Sequence, residues 1–382
     1  MTAVNEERQQ QARVYARLSR RLWLISLLLS AGYTGIWLLF GWGTSLRTWL
    51  VDLWGPFGNP WLLVPAVFVV FGGILMLVDL PLSFLAGFIL PHRFGQSTQT
   101  LRGWLGDQAK ALLVGAPLAL LLLELLYFAL RAAGSLWWLW AAGGLLIFNV
   151  LLVNLAPVLV MPLFNRYIPL GLEHQDLEQR LLRLAAKART RVQGVYKFDL
   201  SRRTKAANAA LAGMGRTRRI ILGDTLISEF TADEIETVLA HELGHHVHRD
   251  ILVLVLFGTL TTLGGLYLAS EVLKQAVVAF GFAGVSDPAA MPALALVLGA
   301  YAVVTMPLEN AVSRWRERMA DRYALQVTGR NEAFASALVR LANQNLSEVE
   351  PEKWVVWMLH SHPPLGERIA AATEWTGTRG AQ

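Results

Sequence analysis

The chain has 382 residues, of which 54% are hydrophobic and 16% charged, with no cysteine and a net charge of +6; its mean hydropathy is +0.42. Soluble domains carry about 25% charged residues, so this balance argues against a string of soluble domains and for an integral membrane protein in contact with a lipid bilayer. Without cysteine there are no disulfides and no thiolate ligands, which leaves histidine and carboxylate to hold any transition metal.

In chain order, apolar runs long enough to cross a bilayer fall at Leu22–Trp42, Trp61–Leu90, Ala111–Leu130, Leu136–Phe164, Ile251–Ser270 and Met291–Leu308. Four of these spans make up an N-terminal membrane region, 1–164, and two more occupy 251–308. The first run is too long for the apolar core of a signal peptide and no small-residue cleavage site follows it, so it reads as a retained span. Arg8, Arg13, Arg17, Arg20 and Arg21 precede it, whereas the following loop offers Arg47 against Asp52. The positive-inside rule then places the N-terminus in the cytoplasm. Alternate counting puts the basic Pro91–Lys110 loop, the basic segment 165–250 and the C-terminus on the same side, which describes a multi-pass protein of a cell membrane, with a bacterial inner membrane the expected setting. Basic residues flanking spans already account for the net charge, so no nucleic-acid partner is expected. Asp79, Glu124, Asn149 and Asn154 interrupt the apolar spans. Carboxylates at membrane depth face an interior or a cavity, whereas hydrogen bonds between helices explain the asparagines equally well.

Residues 165–250 have soluble character. Leu177, Leu181, Leu182, Leu184 and Ala188 form an apolar stripe that predicts an amphipathic helix over Asp176–Val192. Val195–Leu200 and Arg219–Leu222 have strand character, and Asn208–Met214 is a candidate third strand. An exposed edge of such a sheet can receive a peptide in extended form. Beyond the sixth span, 309–382 is expected to hold a charged helix over Glu309–Gln326 and another around Ala333–Asn343. The expected class is therefore mainly α: a polytopic helical bundle of about six spans around a polar chamber, with a small α+β region on the cytoplasmic side in which His241-Glu242-Leu243-Gly244-His245, a metal-site pattern, points to a zincin-like catalytic region.

The chemistry is concentrated in His241-Glu242-Leu243-Gly244-His245. Histidines at i and i+4 of a helix project from one face and can share one Zn²⁺, and the glutamate beside them can deprotonate a water there. Thr231 with Glu234 fits a capping box, and Ile235, Val238, Leu239 and Leu243 continue the helical spacing into the motif. A catalytic zinc needs a third protein ligand and an open position. Glu317 and Asp321, again at i and i+4, offer a carboxylate to the metal and a second one to support the site. In isolation the same stretch reads as a solvated helix laced with Arg–Glu pairs; a zinc helix elsewhere in the chain tips it toward metal. His246, at i+5 from His241, points off the zinc face, and His248 is likewise expected on the surface or behind the ligands.

The order of motifs extends further. His241–His245, Asn310-x-x-Ser313-Arg314-x-x-Glu317-x-x-Ala320-Asp321 and His362-Pro363-Pro364-Leu365-x-Glu367-Arg368, with upstream Leu80-Pro81-Leu82-Ser83, Phe94–Thr100, Ala156-Pro157, Pro162-Leu163-Phe164, Asn208-Ala209 and Arg219–Leu226, resemble the type 1 CAAX prenyl protease family of integral-membrane zinc metalloproteases. The resemblance covers the chain from Asp79 to Arg368. It implies one Zn²⁺ on His241, His245 and Glu317, with Glu242 as general base and Asp321 as orienter of a ligand histidine or as proton donor. It further implies His362 near the oxyanion, Arg314 and Arg368 holding the carboxylates, Asn208 and Ala209 on the substrate-binding strand, and a large chamber within the spans. Eukaryotic members are described with seven spans, so the six read here lack one at the N-terminus. The implied activity is thermolysin-like cleavage of membrane-associated or prenylated CAAX-type proteins. HtpX-like quality-control proteases share the catalytic motifs without the upstream ones and rank second. A non-catalytic zinc transporter or sensor using His241, His245, His246 and His248 is the remaining reading, and Glu242 between the ligands argues against it.

Overall fold

The computed structural model describes residues 3–55, 59–213 and 217–376. Helix α1 (Glu6–Leu39) starts at Asn5, whose side chain accepts from the Arg8 amide, and is followed by the short α2 (Trp42–Trp54) and the long α3 (Pro60–Phe84). A π turn, Leu85–Ile89, carries α3 into α4 (Leu90–Arg93). Next come α5 (Leu101–Ala132), α6 (Trp137–Leu155), a second π turn at Ala156–Val160 and α7 (Met161–Phe164). Each π turn runs into a short helix with proline in its first turn, Pro91 or Pro162. A residue without an amide hydrogen breaks the i→i−4 ladder, and widening by one residue accommodates it.

The polar segment folds as strand β1 (Tyr167–Pro169), helix α8 (Gln175–Lys187), strands β2 (Val195–Phe198), β3 (Ala209–Ala212) and β4 (Arg219–Gly223), and helices α9 (Asp224–Glu229) and α10 (Ala232–Val247). The sheet order is β1-β2-β4-β3, with β2 and β4 parallel and the outer pairs antiparallel. The third strand is thus real but shorter than expected, and Met214 lies outside the described residues. The sequence reading overlooked β1, whose three residues end in proline and are too few for an alternating pattern. The chain closes with α11 (Asp250–Phe280), α12 (Met291–Thr328), α13 (Asn331–Gln344), α14 (Lys353–Leu359) and α15 (Leu365–Thr373).

Among the described residues, six helices are long and apolar enough to cross a membrane: Glu6–Leu39, Trp61–Arg93, Leu101–Ala132, Gly134–Leu155, Asp250–Phe280 and Pro288–Thr328. The six expected spans lie at these places, but several boundaries differ: the fourth ends at Leu155 rather than Phe164, the third begins at Leu101 and the fifth runs on to Phe280, and the first and sixth differ most. The charged helix expected over Glu309–Gln326 is no separate element. It is the second half of α12, one helix of 38 residues, about 57 Å long against a hydrocarbon thickness of about 30 Å. Likewise α1 begins well before its apolar run, so its basic first turns project from the bundle. Helix continuity is decided by hydrogen bonding along the backbone, and a change from apolar to charged side chains does not interrupt it.

Two hydrophobic cores hold the molecule. One packs α8, the sheet and α10 against the end of α12, α13 and α15, with Ile220, Leu239, Leu243 and Leu338 at its centre. The other packs Trp37, Val67, Tyr127, Trp137, Leu273 and Met291 where α1, α3, α5, α6, α11 and α12 meet at their opposite ends. Between them, none of residues 13–33, 72–89, 105–126, 143–155, 251–264 and 295–306 is buried. The helices stand as walls without a dry core at mid-height. Asp79 lies in this zone and accepts a hydrogen bond from Ser26 of α1. Asn154 bonds the Val150 carbonyl of its own helix, so helix-to-helix bonding does not explain that residue.

Candidate active site

The motif helix α10 begins with the capping box its sequence predicts. Thr231 Oγ1 accepts from the Glu234 amide and Glu234 Oε2 accepts from the Thr231 amide at 2.8 Å. The other carboxylate oxygen of Glu234 accepts from Ser336 Oγ and Arg340 Nε, at 2.6 and 2.9 Å, which ties the start of α10 to α13. Nearly three turns on, Gly244 lets α10 press against α12. A Cβ there would lie 2.9 Å from Ala320 Cα and 3.1 Å from the Ala320 carbonyl oxygen. This approach brings residues 76 positions apart in sequence into one site.

His241 and His245 face each other edge-on, ring centroids 4.7 Å apart and Nε2 atoms 3.1 Å apart. Glu317 on α12 lies opposite, Oε2 3.3 Å from His241 Nε2 and Oε1 3.4 Å from His245 Nε2. One ligand atom from each of the three lies within 4.8 Å of the others. On the far sides, His241 Nδ1 donates to Asp321 Oδ1 at 2.8 Å and His245 Nδ1 donates to Asp250 Oδ2 at 2.7 Å. With both Nδ1 protons committed, the two Nε2 lone pairs and a carboxylate converge, and Glu317 Oε2 is buried without a donor. Three converging acceptors require a cation, and the N, N, O donor set suits a divalent metal. The same surroundings favour positive charge: burial pushes the His241 ring down, but Asp321 and Glu317 more than offset it and raise its pKa to about 9.

Glu242 is half-buried beside the pair and makes no hydrogen bond among the described residues. Burial pushes its carboxyl above the usual range and Glu317 adds to the effect, while the two histidines pull it back. A carboxylate raised in this way is a stronger base than a free one and is suited to taking a proton. His362 is exposed at the mouth of the site, Nε2 3.3 Å from Glu317 Oε1 and Nδ1 2.9 Å from Ser361 Oγ. Arg368 grips Asp321 with two donors, Nε to Oδ2 at 2.8 Å and Nη2 to Oδ1 at 2.6 Å. Asn208 and Ala209 lie at the start of β3, the free edge of the sheet, where the Asn208 carbonyl accepts from Gly223 and Ala209 pairs with Leu222.

Arg314 departs from expectation. It holds no carboxylate: its Nη1 donates to the backbone carbonyls of Val356 and His360, at 2.8 and 2.6 Å. Its side chain leaves α12 toward α14, so it braces the turn that carries His362. The sequence reading also missed Asp250 and Arg316. Arg316 pairs with Asp250 and donates to the His248 carbonyl at 2.7 Å, so that a buried ion pair orients His245. The available signal was a carboxylate five residues past the second histidine, at the threshold of an apolar span. His246 and His248 take no part in the three-ligand group. The His248 ring stands edge-on to Tyr323, so the four-histidine cluster of a transporter is not assembled.

Comparison with known proteins agrees with this geometry. The sequence model of peptidase family M48 matches residues 171–376, and that of the CAAX prenyl protease N-terminal region, described as five membrane helices, matches 1–166. Within 1–166 this chain has four helices of spanning length and the 13-residue α2. An uncharacterized metalloprotease of Bacillus subtilis, YhfN, is 32% identical over 303 residues, 78% of this chain and 70% of that protein. CAAX prenyl protease 1 of Saccharomyces cerevisiae is 31% identical over 317 residues, 77% of this chain and 68% of the yeast protein. The crystal structure of S. mikatae Ste24p superposes with a TM-score of 0.83 at 25% identity, covering 97% of this chain and 90% of that one. A His-His-Glu group on two helices that meet above a membrane bundle, together with these matches, makes the chain a member of peptidase family M48 and a multi-pass membrane metalloendopeptidase of the CAAX prenyl protease type.

Proposed function

We propose that the protein is a zinc endopeptidase that cuts membrane-associated proteins, prenylated CAAX-type proteins among them, at the cytoplasmic face of a cell membrane. The convergence of His241, His245 and Glu317 lone pairs carries the metal part of this reading, and the names of the relatives carry the substrate class. Arginines before the first span and in the polar segment support the cytoplasmic placement. In this reading 1–164 and 251–308 form the membrane body, 165–250 presents the edge strand and motif helix, and 309–382 supplies the third ligand.

His241, His245 and Glu317 would hold the ion, with Asp321 and Asp250 keeping each imidazole's Nε2 lone pair turned inward. Zn²⁺ there supplies Lewis-acid polarisation of the scissile carbonyl and acidification of water. The residues do the rest. The edge strand β3, from Asn208 and Ala209, aligns the peptide in extended form. Glu242 takes a proton as water adds to the carbonyl carbon, then returns it to the nitrogen as the C–N bond breaks. His362 steadies the developing oxyanion, and Arg314 holds the turn on which it sits.

The test is mass spectrometry of products from purified, zinc-loaded protein offered prenylated CAAX peptides and unmodified membrane-derived peptides. Glu242→Gln is expected to keep its zinc and lose cleavage by at least about a hundredfold. Undiminished turnover in that variant would remove Glu242 as the base, and cleavage of the unmodified peptides alone would overturn the prenylated class.

A further inference from the structure

The metal centre accounts for bond cleavage but leaves unassigned a groove of about 670 Å³ that opens beside it, within the roughly 300–1,000 Å³ typical of ligand clefts. One end is lined by His362 and Arg368 and the far wall by the projecting first turns of α1. Tyr15, Ala16, Ser19 and Arg20 line it, at i, i+1, i+4 and i+5 on one helical face. Between these ends run Leu341, Leu346, Leu359 and the Pro363–Leu365 turn, which give an apolar floor bordered by polar Asn345, Ser347, His360 and Ser361.

The wall is held in place by an unusual set of contacts. Gln9, buried in α1, donates through Nε2 to the Ser347 carbonyl at 3.1 Å and accepts from the Val349 amide at 3.0 Å. An amide bonded in both directions mimics a strand neighbour. Farther along α1, Arg20 pairs with Glu348 at 2.8 Å, while Arg368 at the other end of the groove is paired with Asp321. Asn343 adds bonds to the Asn5 amide and to Arg8 at the start of the helix. The first membrane helix is thus fastened to the segment leading into α14 and His362.

We infer that this groove is a specificity subsite, in which the first membrane helix helps to select apolar side chains flanking the scissile bond. The inference rests on the peptidase reading above, because the groove opens on the reaction centre and its occupant is the peptide that reaches that centre. Its apolar stretches desolvate apolar side chains, and its arginines Arg20 and Arg368 are already paired with Glu348 and Asp321, so a charged substrate residue would have to compete with those pairs for a partner.

The experiment narrows the groove from the α1 side. Ala16→Trp and Ser19→Trp are prepared in the full-length, zinc-loaded protein, and kcat/KM is measured on two peptide sets that differ only in bulky apolar or glycine and alanine residues around the cut. For the bulky set kcat/KM is expected to fall by about tenfold or more in at least one variant, with cut positions displaced, and to change less than about twofold for the small set. Zinc content and melting temperature should match the parent, and the second variant keeps the test open if the first does not fold. Equal losses on both sets, or unchanged profiles in both variants, would overturn the subsite. A parent protein that cleaves neither set would instead overturn the peptidase reading.

Discussion

The least anticipated residue is Asp250. It sits at the first position of α11 and does two things at once: it accepts the His245 Nδ1 proton and pairs with Arg316, itself buried. Arg316 has no other carboxylate partner among the described residues and His245 Nδ1 has no other acceptor, so removing the carboxylate charge strands a guanidinium and loosens the imidazole's orientation. Asp250→Asn is expected to lower zinc affinity by about 10–100-fold, read by competition with a chromogenic chelator, whereas Asp224→Asn, remote from the metal, should leave it unchanged. Asp321 stands in the corresponding position behind His241, with Arg368 in the role of Arg316. Each ligand histidine is therefore backed by a carboxylate and each carboxylate by an arginine. Of these four supporting residues, Asp321 and Arg368 were legible through their place in known motifs. The other two were not, because their pairing joins α11 to α12 across a fold that spacing alone does not reveal.

At the scale of elements, the meeting of α10 and α12 decides the site. Gly244 is the point of closest approach, and the backbone of Ala320 leaves no room for a methyl group. Gly244→Ala has an intrinsic helix gain of about 1 kcal/mol, which the clash outweighs. The helices must part by some tenths of an ångström, at a cost of about 1–3 kcal/mol. Reduced zinc content together with a lower melting temperature is the expected outcome, and a stabilised, fully loaded variant would show that the helices can separate without penalty. The start of α10 gives a pH dependence. Burial pushes the Glu234 carboxyl up, but Ser336, Thr231 and Arg340 together bring it below its ordinary value. Because the folded pKa is the lower one, its contribution to stability is complete above the unfolded value of about 4.3 and is lost as pH falls through the folded one. Glu234→Gln should remove that part of the acid dependence while costing stability at pH 7, measured as melting temperature against pH.

For the molecule as a whole, the separation of the two cores matters most. One surrounds the metal site and the other closes the far end of the bundle, with no buried residue at mid-height. Ligand binding stabilises the state that holds it by RT ln(1 + [L]/Kd), about 4 kcal/mol at a thousandfold excess over Kd. Chelation by phenanthroline is therefore expected to abolish cleavage and to raise hydrogen exchange in α10, the outer half of α12 and α15, leaving the ends of α5, α6 and α11 in the far core protected. Added zinc should restore both. A uniform loss of protection through the bundle would show that the two cores unfold as one.

The sequence by itself determined the chemistry and the membrane class. Both depend on local properties: a ligand pair one helical turn apart at His241 and His245, and the length of apolar runs. It located every span and the capping box of α10, because hydrophobicity and capping are read within a few residues. Only the tertiary structure decided which partners complete the site. Glu317 is a ligand candidate by position but reaches the histidines because Gly244 admits α12. Arg314 turned from the carboxylates to the carbonyls of Val356 and His360. The first helix, whose arginines read as a topology signal, came to rest against the Asn343–Val349 segment that leads into α14. Such pairings are set by how helices cross and how closely their backbones approach, and a one-dimensional pattern does not carry that information.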